Sequence, residues 1–448
     1  MSTKRKLIRG ALILTAAGFI SRFMGFFFRI FLSHAFGEEN VGLYQLVFPL
    51  YALCLSVSTS GIQTALSRTV ARKISLGRPE EAGNILWLGL SLTVLLSLAE
   101  ILIVQQNAET IALRFLGDVR CTELLVIISY ALPCAAVHSC ICGYCYGVQK
   151  AEIPAVSQLI EQTVRILSVV ALFFLLQNQG STPSVSLAMA GVVIGEFASA
   201  FYSSRALSKT RKKGSIPNLR SIWSGASELI PLSLPLTANR TAVTLLQSIE
   251  AASIPACLRI YTHSTSEALI LYGVLTGMAL PCVLFPSVIT NSVGTMLMPA
   301  VAEKQAAGKR SDIVSLIRKT AGSCFILGLA CCLFFLLFGS FIGRFLFHSE
   351  TAGRFIVTLA WICPFLYTNT ALMSAINGLG KTLFTFLINV TGLLVRISGV
   401  FLAIPRFGIQ GYLWGLLASQ FVVTGLAATV LLAAARPSRP RHSPGPRV

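Results

Sequence analysis

Twelve times in 448 residues the chain runs through about 20 mostly apolar residues, the length a helix needs to cross the hydrocarbon core of a bilayer. In lipid every backbone N–H and C=O must be paired within the spanning structure, which leaves helices and closed barrels. The runs are continuously apolar rather than alternating, so the spacing predicts an all-α polytopic membrane protein. Spans are expected near 8–35, 41–66, 84–106, 121–147, 153–177, 183–206, 226–255, 267–300, 314–338, 354–378, 382–404 and 409–434. Charged residues are 12% of the chain, against roughly 25% in soluble proteins. That leaves too few charges to cover a water-facing surface, which excludes a soluble enzyme, a disordered chain and a disulfide scaffold. Lys4, Arg5 and Lys6 before an apolar run imitate a signal peptide, but that run is too long and holds Arg22 and Arg29. It reads as an uncleaved first helix.

The remaining charges orient the spans. Of 36 Lys and Arg, 25 fall in the two tails and the alternate loops on the same side, six in the intervening loops and five within helices. Positive residues mark cytoplasmic segments, so both termini are expected in the cytoplasm. A net charge of +19 is then a topology signal, and no nucleic-acid partner is expected. The longest connection carries Lys209, Arg211, Lys212, Lys213 and Arg220. The chain is accordingly divided into a six-helix lobe at 1–206, a basic linker at 207–225, a second six-helix lobe at 226–435 and a basic tail at 436–448. The Pro- and Arg-rich tail is expected to lie disordered against anionic membrane lipids.

The two halves repeat at an offset of 231. Gly147-Val-Gln-Lys150 meets Gly378-Leu-Gly-Lys381, Val164-Arg165-Ile166 meets Val395-Arg396-Ile397, and Lys73 meets Lys304. Six helices per repeat is an even number, so the copies share one topology. A parallel pseudo-twofold axis along the membrane normal is expected, with the substrate path between the lobes.

Ionisable residues at mid-membrane cost ~3 to over 10 kcal/mol and are functional candidates by default. Arg22 and Arg29 lie two turns apart on helix 1, Arg240 is central in helix 7, and Arg165 and Arg396 hold repeat-related positions in helices 5 and 11. The acids are Glu161, Glu196 and Glu250. Five positive groups against three negative suit an anion, and the forked guanidinium suits phosphate. The acids are candidates for coupling or as counter-ions; Glu161 and Arg165, at i and i+4, can pair on one helix face. Pro231, Pro235, Pro281 and Pro286, with Gly273 and Gly277, are candidate gate hinges or static kinks.

Helix 4 carries Cys134, His138, Cys140, Cys142 and Cys145. Cys140 and Cys142 point about 160° apart on a helix, so no zinc site is expected, and no metal or cofactor. Gly-rich phosphate loops, HExxH and a nucleophile elbow are absent from the sequence, and the chain is not expected to be an enzyme.

Three stretches resemble a known family. Gly18 to Tyr44 (GFISRFMGFFFRIFLSHAFGEENVGLY) resembles the first-helix pattern of the polysaccharide-transport branch of the multidrug/oligosaccharidyl-lipid/polysaccharide (MOP) exporter superfamily, a pattern shared with the lipid II flippases. Leu229 to Pro255 (LIPLSLPLTANRTAVTLLQSIEAASIP) and Leu271 to Glu303 (LYGVLTGMALPCVLFPSVITNSVGTMLMPAVAE) are similar to the stage V sporulation protein B group. The resemblance spans roughly 1–435. It implies a fold like that of the multidrug (MATE) exporters and lipid II flippases, with two six-helix lobes alternating between inward and outward states in the bacterial cytoplasmic membrane. It also implies flipping of a polyprenyl-pyrophosphate-linked saccharide, such as a peptidoglycan precursor for spore cortex or cell wall, with wall-synthesis enzymes as further partners. Arg22, in Ser21-Arg22-Phe-Met-Gly25, matches an arginine that lines the cationic cavity of related flippases. Arg29 lies one residue further along than its counterpart, and the twelve spans counted here compare with the usual fourteen of these groups.

Two other functions fit a chain of this class. An ion-coupled multidrug exporter of the same fold would favour an acidic site for organic cations, whereas here arginines outnumber acids. A non-transporting scaffold for wall-synthesis enzymes would be indifferent to Arg22 and Arg240. A major facilitator protein is disfavoured by the loop Ser67 to Gly83, whose only acids, Glu80 and Glu81, come late.

Overall fold

The computed structural model describes residues 3–210, 225–307 and 310–435. The lysines and arginines expected at 211–220 and from 436 onward lie outside the described residues, as do the side chains of Lys4, Arg5 and Lys6. Among the described residues the structure is helical throughout. Its first segment, Thr3–Leu55, is interrupted at Gly37 (φ 78, ψ 167), a backbone geometry that glycine adopts without steric cost. Leu12–Ser75 is an apolar stretch of 64 residues. At 1.5 Å per residue it would be about 95 Å long, some three bilayer cores. Gly37 therefore divides two spans, α1 (3–36) and α2 (38–75).

The chain continues through α3 (Pro79–Gln106), α4 (121–147), α5 (Glu152–Asn178) and α6 (Ser186–Thr210). Then come α7 (Ala226–Thr262), α8 (265–306), α9 (Arg310–Phe347), α10 (350–378), α11 (Thr382–Phe407) and α12 (Ile409–Ala435). Helix α4 is bent by 41° between Ser129 and Ala131. The described residues hold ten helices long and apolar enough to cross a membrane, or eleven with that bent pair taken as one span, and Gly37 divides the longest of them. The kinks fall unevenly on the proline positions. Helix α7 runs unbroken through Pro231, Pro235 and Pro255. Helix α8 passes through a π-helical turn at Val274–Ala279 and breaks between Leu284 and Ser287, at Pro286.

Two compact units emerge. One comprises Met1–Phe285, Ser340–Ile356 and Val400–Gly411, and the other Pro286–Gly339, Val357–Gly399 and Tyr412–Val448. In the first unit, α2 and α3 bury Ala65, Leu66, Val70, Ile85 and Leu86 against Cys140 of α4 and Leu229 of α7. Helices α7 and α8 approach α2 closely. A Cβ at Gly61 would lie 2.7 Å from Thr237 Cα, and one at Gly273 would lie 2.9 Å from Gly42 Cα. In the second unit, Leu297 and Val301 of α8 pack with Ile313, Cys324, Ala371 and Ala375.

The offset of 231 recurs as local geometry within each unit. Gly147 of α4 lies on Val70 and Ser67 of α2, and Gly378 of α10 lies on Val301 and Met298 of α8. Each of these pairs is 231 apart. The same C-terminal cap closes α4 and α10. Lys150 N donates to Cys145 O at 2.8 Å and Lys381 N to Ile376 O at 3.1 Å, with Gln149 (φ 61) and Gly380 (φ 74) in the left-handed conformation that such a cap requires. Even an ion pair repeats: Lys73–Glu81 at 2.9 Å and Lys304–Asp312 at 3.4 Å.

Candidate functional site

The first unit gathers its intramembrane charges by way of small residues on α6. A Cβ at Gly195 would sit 2.9 Å from Glu161 O and 3.1 Å from Arg165 Cβ, and one at Gly191 would press on Val169. Small residues four apart let two membrane helices approach backbone to backbone. That contact sets Glu196, the next residue on α6, beside Glu161 and Arg165 of α5.

Glu161 and Arg165 pair across one helical turn at 2.5 Å, their side chains 15% and 14% exposed. Glu196 is buried; its Oε1 accepts from Tyr51 Oη of α2 at 3.3 Å, and its Oε2 lies 3.8 Å from His138 Nδ1 of α4. The other imidazole nitrogen, Nε2, is 2.9 Å from Ser157 Oγ. One ligating atom from each of His138, Glu161 and Glu196 lies within 4.8 Å of the others. Glu196 Oε2 and Arg165 Nε are buried without a hydrogen-bond partner among the described residues. Four helices thus converge on a polar site inside an apolar bundle.

The other charged candidates have their own surroundings. Arg29 of α1 donates to the carbonyl of Thr276 at 3.1 Å. Thr276 lies in the π turn of α8, where the helical ladder is disturbed and carbonyls become available to outside donors. Glu250 is buried in α7 and interacts electrostatically with Tyr272. Arg396 is half-buried on α11. Arg22 and Arg240 are exposed on the bodies of α1 and α7 and have no acid partner among the described residues. Arg165 is joined to acids, through its pair with Glu161.

His138, Tyr51 and Ser157 complete the polar site, and the sequence reading passed over them as site residues. His138 was weighed only against cysteines on its own helix, but its partners come from α2, α5 and α6. The signal that was available is an ionisable side chain in the middle of a spanning helix. Glu100 was missed in the same way; it lies in α3 with both carboxylate oxygens buried, close to Ser58 in the π turn of α2.

Two ion networks tie the first unit at its rims. Lys73 at the end of α2 contacts Glu81 of α3 at 2.9 Å and Glu228 of α7 at 2.6 Å. At the opposite ends of these helices, Arg120 bridges Glu39 at 2.8 Å and Asp118 at 2.9 Å. There Ser266 Oγ also donates to Glu39, and Arg259 donates to Gly117 O. Burial by itself raises the Asp118 carboxyl, but hydrogen bonds from Arg120 and the charges of Arg120 and Arg259 outweigh it. The carboxyl is held below its ordinary range.

Residues 7–305 match the family model described as polysaccharide biosynthesis protein. The chain is 30% identical to stage V sporulation protein B of Bacillus subtilis (strain 168), over 97% of this chain and 84% of that protein. It is 23% identical to the lipid II flippase MurJ of the same organism, over 88% of this chain and 76% of that protein. Among solved structures, the inward closed lipid II flippase MurJ matches with TM-score 0.75 and 13% identity, covering 94% of this chain and 87% of that one. An inward-facing MATE family multidrug resistance transporter of the MOP superfamily matches with TM-score 0.74 and 14% identity, covering 92% and 95%. The fold is that of MOP superfamily transporters, and these relatives are membrane transporters and flippases rather than enzymes.

Proposed function

This chain belongs to the polysaccharide biosynthesis protein family, and we propose that it is a flippase for an anionic, polyprenyl-pyrophosphate-linked saccharide. The observation that carries this reading is the placement of Arg22 and Arg240, exposed on apolar spanning helices with no acid partner among the described residues. A guanidinium there is costly unless water or an anion covers it, and its fork of donors complements a pyrophosphate. Arg29, Arg165 and Arg396 extend the positive field. The pyrophosphate is held among the arginines while the prenyl tail stays in lipid. Residues 1–206 and 226–435 act as the two lobes, and both termini face the cytoplasm. The resemblance to stage V sporulation protein B favours a peptidoglycan precursor of spore cortex or cell wall as the cargo. Wall-synthesis enzymes would supply and consume that cargo, and anionic lipids would attract the basic tail.

The test is flipping in proteoliposomes of a fluorescent polyprenyl-pyrophosphate sugar, followed by its accessibility to an external quencher. Wild type is expected to flip it, and Arg22→Ala and Arg240→Ala to lose most of the rate while remaining monodisperse. No flipping by folded wild type would overturn the function and favour a drug exporter or a scaffold. Flipping untouched by either substitution would overturn the site.

A further inference from the structure

The hydrogen-bond pattern around His138 leaves one position that must hold positive charge. Ser157 has a single hydroxyl hydrogen. Its oxygen lies 2.9 Å from Pro154 O, which can only accept, and 2.9 Å from His138 Nε2. The hydroxyl therefore donates to the carbonyl and Nε2 donates to the hydroxyl, which fixes the proton on Nε2. Nδ1 is left with a lone pair directed towards Glu196 Oε2, 3.8 Å away. That oxygen is buried and has no hydrogen-bond partner, because Tyr51 spends its one proton on Oε1. Two acceptors 3.8 Å apart in a buried site repel unless a cation lies between them.

The charges around the site define that cation. Cys142 of its own helix, Glu161 of α5 and Glu196 of α6 act on His138, and Tyr51 of α2, Cys134 of α4 and Arg165 of α5 act on Glu196. Two carboxylates and one guanidinium sum to a single negative charge, which one monovalent cation balances and a divalent metal would overshoot. Sodium is a hard ion that seeks oxygens, whereas imidazole nitrogen suits transition metals. A proton remains.

The second half shows what the scaffold does without this charge. Asn369 of α10 lies 231 residues after His138 and hydrogen-bonds to α12. Its Nδ2 donates to Gln420 Oε1 at 2.8 Å, and Thr424 Oγ1 donates to its Oδ1 at 2.8 Å. The side chains there are all neutral, and none of them gains or loses a proton near neutral pH. The corresponding place in the first half holds a titratable pair.

We propose that His138 and Glu196 hold one exchangeable proton between them, in a site that acts on Arg165 and so links protonation of the first half to its hold on an anion. With the proton present, Glu196 is balanced by the imidazolium, and Arg165 has only Glu161 to satisfy. When it leaves, Glu196 is a second anion competing for the same guanidinium. The link to an anion rests on the proposed flippase function; the proton site does not.

The proton site is tested by NMR of the full chain labelled with 15N-histidine in lipid nanodiscs, with the His138 signal assigned by its loss in His138→Gln. At neutral pH it is expected to show both nitrogens protonated. Glu196→Gln is expected to lower the titration midpoint by about one unit or more, because the carboxylate that holds the proton is gone. The other four histidine signals report whether the variants fold. A His138 that stays neutral with the proton on Nε2, or a midpoint that Glu196→Gln does not move, would overturn the proposal. Exchanging choline for sodium is expected to leave the midpoint in place; a sodium-dependent fall would assign the site to a metal cation instead. The link is read separately, from flipping against pH. Glu196→Gln is expected to flatten that profile, and an unchanged profile in a variant that still flips would remove the link while the NMR decides the site.

Discussion

Helix α2 meets α7 and α8 through Gly61 and Gly42, and each contact is expected to loosen when its own glycine becomes alanine. At Gly61 an added Cβ would lie 2.7 Å from Thr237 Cα, and closer still to that residue's backbone nitrogen. Ordinary contacts of this kind are 3.4 Å or more. Backbone cannot rotate away as a side chain can, so α7 must retreat from α2 by about 1 Å. Overpacking of this size costs about 1–3 kcal/mol. In Gly61→Ala that cost falls on conformers in which this end is closed, shifting the balance towards opening by about 5- to 150-fold. At the other end, Gly42→Ala would strike the carbonyl group of Leu269, and the same cost would favour opening there.

Amide hydrogen exchange read by mass spectrometry distinguishes the two ends without adding labels to a chain with twelve cysteines. Gly61→Ala is expected to speed exchange at 61–78 and 226–237 by about that factor, while leaving 38–45 and 265–275 at or below the wild-type rate. Gly42→Ala should do the reverse. Faster exchange at both ends in either variant would mean general loosening and would refute the argument that each glycine acts at its own contact. Wild-type exchange in both would refute the steric estimate.

Arg165→Ala is expected to lower stability by about 3–5 kcal/mol, because it strands Glu161 in a nearly buried site. Arg165→Gln with Glu161→Gln should recover most of the loss in thermal unfolding of the solubilised protein. Glu228→Gln should cost less than about 1 kcal/mol in the same assay, since its side chain is 36% exposed and Lys73 keeps Glu81. The Asp118–Arg120 contact stabilises its connection while the carboxyl is ionised. Because that carboxyl is held below its ordinary range, the contribution is complete above the unfolded value and is lost only as pH falls through the lowered one. Exchange at 117–121 should therefore be unaffected by this group until the medium is more acidic than the ordinary carboxylate range. Arg120→Gln should move the onset to higher pH.

What the sequence disclosed follows from the range of each interaction. Spanning helices are set by apolar length against bilayer thickness, a property of contiguous residues, so the all-helical membrane fold was legible in the apolar runs. The repeat was legible at Lys73 and Lys304 because their spacing is preserved, although their acid partners Glu81 and Asp312 became evident only once the loops were folded. The Glu161–Arg165 pair was legible because i and i+4 share a face. The contact of Arg29 with a carbonyl of α8 was not legible, because no residue type advertises a π turn. His138 lay hidden for a related reason: its partners come from α2, α5 and α6, and they meet only because Gly191 and Gly195 let α6 close on α5.

The comparison of the halves separates scaffold from chemistry. The caps after α4 and α10, and the seats of Gly147 and Gly378, agree position by position across the offset of 231. These features concern backbone shape, and losing either copy would disturb the packing of α2 on α4 or of α8 on α10. The polar centres do not agree: His138 corresponds to Asn369 and Glu161 to Gly392, while the arginine is kept at 165 and 396. A duplicated scaffold tolerates such divergence only where the side chains do not hold the helices together. One half thus carries ionisable side chains at positions where the other carries neutral ones, on a backbone frame that the caps and glycine seats keep alike.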